Sequence, residues 1–201
     1  MKYRGMGNFD YYVYKYKPSG SLISSVKIPV SVYEITSFGN RLFGAYSNAV
    51  YELDVDTGSV KNHFYLPWET YTRGLTNDGK DLWALYGSSG EEIYKISTTG
   101  SVIYSIPALN EDVYGLGYYN SFLWYFDDSS KNIIQAKESN GDIVNEYRYM
   151  PGMRRMAYDG QCIWFGSDDK ITRINHKTSK VLAEWSAPED HELRAVTVVF
   201  K

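Results

Sequence analysis

Five residues draw attention because a sequence repeat places them in register: Tyr33, Arg73, Tyr114, Arg154 and Arg194. Three guanidiniums brought to one point suit an anion or a polar sugar, because each planar fork offers paired donors. Two tyrosines add rigid flat area and a hydroxyl each. The next position in the repeat holds Glu34, Gly74, Gly115, Arg155 and Ala195, which puts one acid and a further arginine beside the set. A structural reading stands next to the ligand reading. Glu34, Glu69, Glu111, Asp112 and Glu192 lie close enough in the repeat to pair with the arginines and hold neighbouring units together.

Two sets of loops accompany these positions. The segments before the five residues bring Trp68, Tyr71 and His191, and hairpin loops bring Asp10, Asp127-Asp128 and Asp168-Asp169. Aromatics beside carboxylates suit a sugar, the ring covering apolar faces and the acids accepting from hydroxyls. Asp pairs in hairpins also have an ordinary role as turn residues, and that reading is preferred here. His191, next to Glu192, has the composition of a general base but equally that of a surface loop histidine. His63 is expected in an outer strand and His176 in a turn. Cys162 reads as a buried, inert thiol. No Ca-loop, P-loop, dinucleotide fingerprint or nucleophile elbow occurs, so no metal and no cofactor is expected.

The elements that must position these residues follow from the repeat. Pro29, Pro67, Pro107, Pro151 and Pro188 recur about every 40 residues. Between them come turn pairs (Gly39-Asn40, Asp78-Gly79, Asn120-Ser121, Asp159-Gly160), then strands with an aliphatic–aromatic pair (Leu42-Phe43, Leu82-Trp83, Leu123-Trp124, Ile163-Trp164). A third strand and a second turn follow, the latter at Ser19-Gly20, Thr57-Gly58, Thr99-Gly100, Asn140-Gly141 and Thr178-Ser179. Four short strands in about 40 residues is the pattern of a propeller blade. Stretches such as Leu82-Trp83-Ala84-Leu85-Tyr86 are apolar on both faces, as expected for a sheet sandwiched between two others.

The ends fall in phase. Residues 193–200 align with a first strand, whereas Lys2-Tyr3-Arg4-Gly5-Met6 stands in the place of a second, followed by strands at 12–16 and 22–28. The reading is an all-β, five-bladed β-propeller of four-stranded antiparallel blades, closed by pairing of the N- and C-terminal strands. Its blades cover 193–201 plus 1–28, then 30–66, 69–106, 112–149 and 152–186.

The run Arg73-Gly74-Leu75-Thr76-Asn77-Asp78-Gly79-Lys80-Asp81-Leu82-Trp83, continued by Ile93-Tyr94-Lys95-Ile96 and Thr99-Gly100-Ser101-Val102, resembles blades of the streptogramin-lyase-like, NHL and YVTN propellers. Met156-Ala157-Tyr158-Asp159-Gly160-Gln161-Cys162-Ile163-Trp164 repeats the first half of that run. The resemblance is one of repeat style along the whole chain and implies a propeller. Those families usually have six or seven blades, and there is room here for five. None of their catalytic residues can be matched position by position.

Composition bounds the function. The chain has 201 residues, one cysteine and a formal net charge of −3. It has no charge footprint for nucleic acid, no apolar run long enough to span a bilayer, and no disulfide framework. A monomer is expected, cytoplasmic if the chain is complete and secreted if a leader has been removed. The leading expectation is a non-enzymatic binding propeller holding a polar or anionic small molecule, a glycan or a peptide at its axial mouth. The ligand set would be Tyr33, Arg73, Tyr114, Arg154 and Arg194 with Glu34, Arg155, Tyr71 and His191. The alternatives are a lyase or glycoside hydrolase using acids and His191 on the same face, and a protein-interaction scaffold without a small-molecule site.

Overall fold

The structure is a computed structural model that describes residues 2–4, 8–68, 71–87, 92–110, 112–148, 153–167, 169–186 and 194–198. Each sheet is built by the alternation of turn residues and short apolar runs. The first has three antiparallel strands, β1 (Lys2–Arg4), β2 (Asn8–Tyr16) and β3 (Leu22–Ile28), in the order β1-β2-β3. The second contains β4 (Glu34–Phe38), β5 (Arg41–Tyr46), β6 (Ala49–Asp54) and β7 (Val60–Tyr65). The third contains β8 (Thr72–Asn77), β9 (Leu82–Tyr86), β10 (Glu92–Ile96) and β11 (Val102–Pro107). The fourth runs β12 (Val113–Tyr119), β13 (Phe122–Asp127), β14 (Asn132–Lys137) and β15 (Ile143–Arg148). The fifth runs β16 (Arg155–Tyr158), β17 (Cys162–Ser167), β18 (Lys170–Asn175) and β19 (Val181–Ser186). All pairings in the four-stranded sheets are between consecutive, antiparallel strands. The chain is an all-β propeller with four four-stranded blades and an N-terminal sheet.

The core lies between blades rather than within one. Trp83 and Leu85 of β9 pack with Leu116, Leu123 and Tyr125 of the following blade. Their neighbours Leu82 and Ala84 turn the other way, onto Phe43, Ala45 and Val50 of the preceding blade. One strand thus buries both faces, which is why its sequence lacks the polar alternation of a solvent-facing sheet. Trp124, Phe126 and Ile133 meet Met156, Ile163 and Phe165 in the same manner. Ile28 of β3 joins Val32, Ile35, Leu42 and Leu53 of the second sheet, and Ala195 packs on that cluster. Residues 194–198 carry no strand.

The first hairpin turns of the third and fifth sheets are locked by the same side-chain device. Asp78 accepts the amides of Lys80 and Asp81 through Oδ1, while Oδ2 accepts Trp83 Nε1 at 3.2 Å. Asp159 does the same for Gln161, Cys162 and Trp164, the last at 2.7 Å. The carboxylate serves both as a turn former and as the acceptor that lets an indole N–H be buried. In the fourth sheet Tyr119 occupies the equivalent position, and the Trp124 Nε1 group has no hydrogen-bond partner among the described residues. The turn residues sit at the positive φ their identities suggest, for example Gly79 at 87° and Asn120 at 51°.

Strands β4, β8, β12 and β16 pack one on the next and form the inner wall around the axis. All four run in the same direction, so their starts share one end of the axis and their first hairpin turns the other.

Candidate functional site

The start of the inner strands is shaped by two β-bulges. The register of β8 against β9 shifts between Thr72 and Gly74, leaving Arg73 as the extra residue. The register of β12 against β13 shifts just after Tyr114, where Gly115 takes a φ of 64°. A bulge breaks the alternation of a strand and re-aims the side chain it carries. Thr72 fixes the first bulge from below, since its amide and its hydroxyl both donate to the Ser47 carbonyl, at 3.0 and 2.9 Å.

These bulges bring three residues of the predicted ring together. Arg73 Cζ lies 4.9 Å from the centre of the Tyr114 ring and Arg154 Cζ lies 5.1 Å from it. Tyr114 comes from β12, Arg73 from the preceding blade, and Arg154 from the segment leading into β16. Tyr114 donates its hydroxyl to Asp112; burial and that acceptor raise its pKa, against the pull of the two guanidiniums. On the other side of the axis Arg194 Cζ stands 4.6 Å over the Tyr33 ring. Cation–π contacts of this kind contribute about 0.5–1 kcal/mol each at a partly wet site. Arg154 is exposed, and among the described residues it makes no ion pair.

Tyr71 extends this surface. It is 56% exposed and meets Tyr46 edge-on at 6.4 Å, while Tyr46 meets Tyr33 at 5.1 Å. Trp68, by contrast, is not a surface aromatic. It is buried among Tyr86 and Tyr94, with the Tyr94 ring centre 4.6 Å away, so the expectation that it faces ligand is corrected to a core role. An indole next to apolar Leu66 covers more area by filling the gap between two blades than by standing in solvent.

Glu34 and Arg155 occupy the inner row. Gly74, Gly115 and Ala195 at the equivalent positions carry little or no side chain there. A Cβ on Gly74 would come within 2.7 Å of Leu116, and one on Gly115 within 2.8 Å of Met156. Glu34 is buried. Burial pushes its carboxyl well above the usual carboxylate range, and the Arg155 charge pulls it partly back. The mouth therefore combines outward cations with one inward acid.

The remaining predicted residues divide plainly. Glu69, Glu111, Glu192 and His191 lie outside the described residues. Asp127 is fully buried and is a loop organiser. Burial alone would raise its pKa, but donation from Ser129, Ser130 and Asn110 outweighs it and holds the carboxylate low. Asp128 pairs with Lys131 at 2.8 Å and Asp10 with Lys27 at 2.6 Å. Cys162 is buried and free. His63 lies in β7, the outermost strand of its sheet. His176 lies in a turn but is enclosed by Trp124, Tyr147 and Tyr158. Among the described residues no three His, Cys, Asp or Glu side chains cluster as a metal site.

Gly87 is a positioning residue that inspection of the sequence missed. A Cβ there would stand 2.2 Å from Arg73 Cδ and Nε. A second concavity was missed too. A cavity of about 340 Å³ opens at the opposite end of the axis, lined by the ends of β4, β8, β12 and β16 together with Thr197 and Val198.

No protein-family model matches the chain, and no curated protein matches it. Solved structures do. The glutaminyl cyclase of Myxococcus xanthus superposes with a TM-score of 0.66 at 14% identity, over 78% of this chain and 70% of that one. A protein of unknown function from Bacteroides caccae gives 0.55 at 9% identity, over 81% and 64%. A chain of a nidogen/laminin complex gives 0.54 at 14% identity, over 81% and 66%. Identities this low carry the fold alone, and the fold they share with this chain is the β-propeller.

Proposed function

We propose that the protein is a non-enzymatic binding propeller that holds a polar, anionic ligand at the mouth framed by Arg73, Tyr114, Arg154, Tyr33 and Arg194. A small carboxylate, an acidic glycan or an acidic peptide end fits this chemistry. The observation that carries the reading is the exposed Arg154 guanidinium, 5.1 Å from the Tyr114 ring centre beside Arg73 and without an ion-pair partner among the described residues. A guanidinium whose charge is met by a ring face rather than by a carboxylate keeps N–H donors for a planar anion. Tyr71 and Tyr46 supply an adjoining flat wall. Glu34 and Arg155 set the floor and limit how deep an anion descends.

The same reading completes the ring as five blades, with residues 194–198, which form no strand, taking the innermost place beside the N-terminal sheet. Supporting it, Arg194 reaches Tyr33, Ala195 packs on the cluster that contains Ile28 and Ile35, and Thr197 and Val198 border the axial cavity.

The test is a thermal-shift screen of small carboxylates, phosphates and acidic oligosaccharides on the wild type and on the double variant Arg73→Ala/Arg154→Ala. Stabilisation of the wild type by a subset of anions, absent from the folded double variant, supports the proposal. Equal responses in both proteins overturn it.

A further inference from the structure

The cavity at the hairpin-turn end of the axis differs in chemistry from the mouth. Among the described residues, no Lys, Arg or His lines it. The one acid among its described lining residues, Asp78, is fully engaged: Oδ1 accepts two backbone amides, and Oδ2 accepts Trp83 Nε1 and the Lys95 ammonium at 2.7 Å. The cavity is thus close to neutral and repels neither hydroxyls nor apolar sugar faces.

Its polar groups are prearranged. Asn77 donates through Nδ2 to Thr36 Oγ1 at 2.7 Å and to the Ser37 carbonyl at 3.1 Å, and its Oδ1 accepts the Gly79 amide. The amide is locked and orients the Thr36 hydroxyl, whose oxygen already accepts one bond and whose proton is left to donate. Ser37 Oγ is buried and has no hydrogen-bond partner among the described residues. A buried hydroxyl in that condition calls for a partner such as an ordered water or a ligand hydroxyl. Tyr158 and the exposed Tyr119 stand edge to face at 6.0 Å on one side of the opening, giving an aromatic wall opposite the hydroxyls. A volume of about 340 Å³ falls at the small end of ligand pockets.

We propose that this cavity is a second binding site, independent of the mouth, for a neutral hydroxylated ligand the size of a monosaccharide. Hydroxyls would exchange bonds with Thr36 and Ser37, and the apolar face of the ring would lie on Tyr119. The charge contrast between the two ends makes the sites selective for different solutes: the mouth for an anion, the turn end for a neutral polyol.

The experiment is saturation-transfer NMR on the full chain with glucose, galactose, mannose and N-acetylglucosamine, each at millimolar concentration, and with citrate as the anionic comparator. The proteins are the wild type, Ser37→Phe, Tyr119→Ala and Arg73→Ala/Arg154→Ala. The expected result is saturation of at least one sugar by the wild type and by the arginine variant, with affinity cut about tenfold or more in Ser37→Phe and Tyr119→Ala. Tyr119 is 40% exposed, so its variant decides the matter even if Ser37→Phe does not fold. No saturation of any of the four sugars, or a signal untouched by both cavity variants, overturns the proposal. Loss of the sugar signal in the arginine variant also overturns it, by placing the sugar at the mouth.

Discussion

Gly87 and Arg73 share one volume. The glycine lies just beyond the end of β9, and a methyl group on it would stand 2.2 Å from the Arg73 side chain. The bulge at Arg73 sends the guanidinium across the strand end, and only a residue without a Cβ lets it pass.

Gly87→Ala therefore displaces Arg73 from Tyr114 without opening the core. The variant should melt within a few degrees of the wild type and lose about tenfold in anion affinity at the mouth. A variant that keeps full affinity means Arg73 does not contribute. Melting curves and titration on the same preparation separate the two effects.

Glu34 makes stability depend on pH with a definite sign. Its folded-state pKa lies above the unfolded value of 4.5, so the folded protein holds this proton more tightly. The associated stability is complete below pH 4.5 and is lost as pH rises through the folded pKa. Glu34→Gln, which keeps the shape of the protonated acid, should raise the melting temperature at pH 7 relative to the wild type, and the gap should close at pH 4. A constant difference at both values, or a loss at pH 7, contradicts this assignment.

His176 runs the other way. Burial lowers its pKa from 6.5, while donation from Nδ1 to the Gln161 carbonyl at 3.0 Å works against that shift. The folded state prefers the neutral ring, so its contribution is present above pH 6.5 and is lost as pH falls through the folded pKa. His176→Gln should flatten the acid limb of the stability profile between pH 7 and 5, as read by denaturant titration.

Asp159 joins three donors at once. Replacing it by Ala leaves the Trp164 N–H and two turn amides without their acceptor and should cost about 2 kcal/mol in denaturant unfolding. Tyr119→Ala, at the equivalent point of a blade whose Trp124 N–H already lacks a partner, should cost clearly less. Equal losses would remove the argument that the carboxylate is what matters.

Much of the fold was legible because its determinants are local. Asp78-Gly79 and Asp159-Gly160 announce their turns through side-chain chemistry within five residues, and Leu82-Trp83-Ala84-Leu85 announces a doubly covered strand by composition. The contacts of Tyr114 with Arg73 and Arg154, and of Tyr33 with Arg194, were legible for the same reason, since the repeat sets these residues at matching positions of adjacent units. Trp68 was misread because its burial depends on Tyr86 and Tyr94, which follow it in the chain by more than a strand. Gly87 was invisible because its neighbour Arg73 meets it across a bulge rather than along the sequence. The turn-end cavity was invisible because it is a gap left by the curvature of four sheets, with no residue type of its own.

The central claim is that Arg73 and Arg154 bind an anion at the mouth. The most direct measurement is isothermal titration of the wild type and of Arg73→Ala/Arg154→Ala with citrate at low and at physiological ionic strength. Saturable binding to the wild type that weakens with salt, and none to the folded double variant, is the expected result. Citrate binding of equal strength to both proteins would contradict it, as would a wild type that takes up no citrate at low ionic strength.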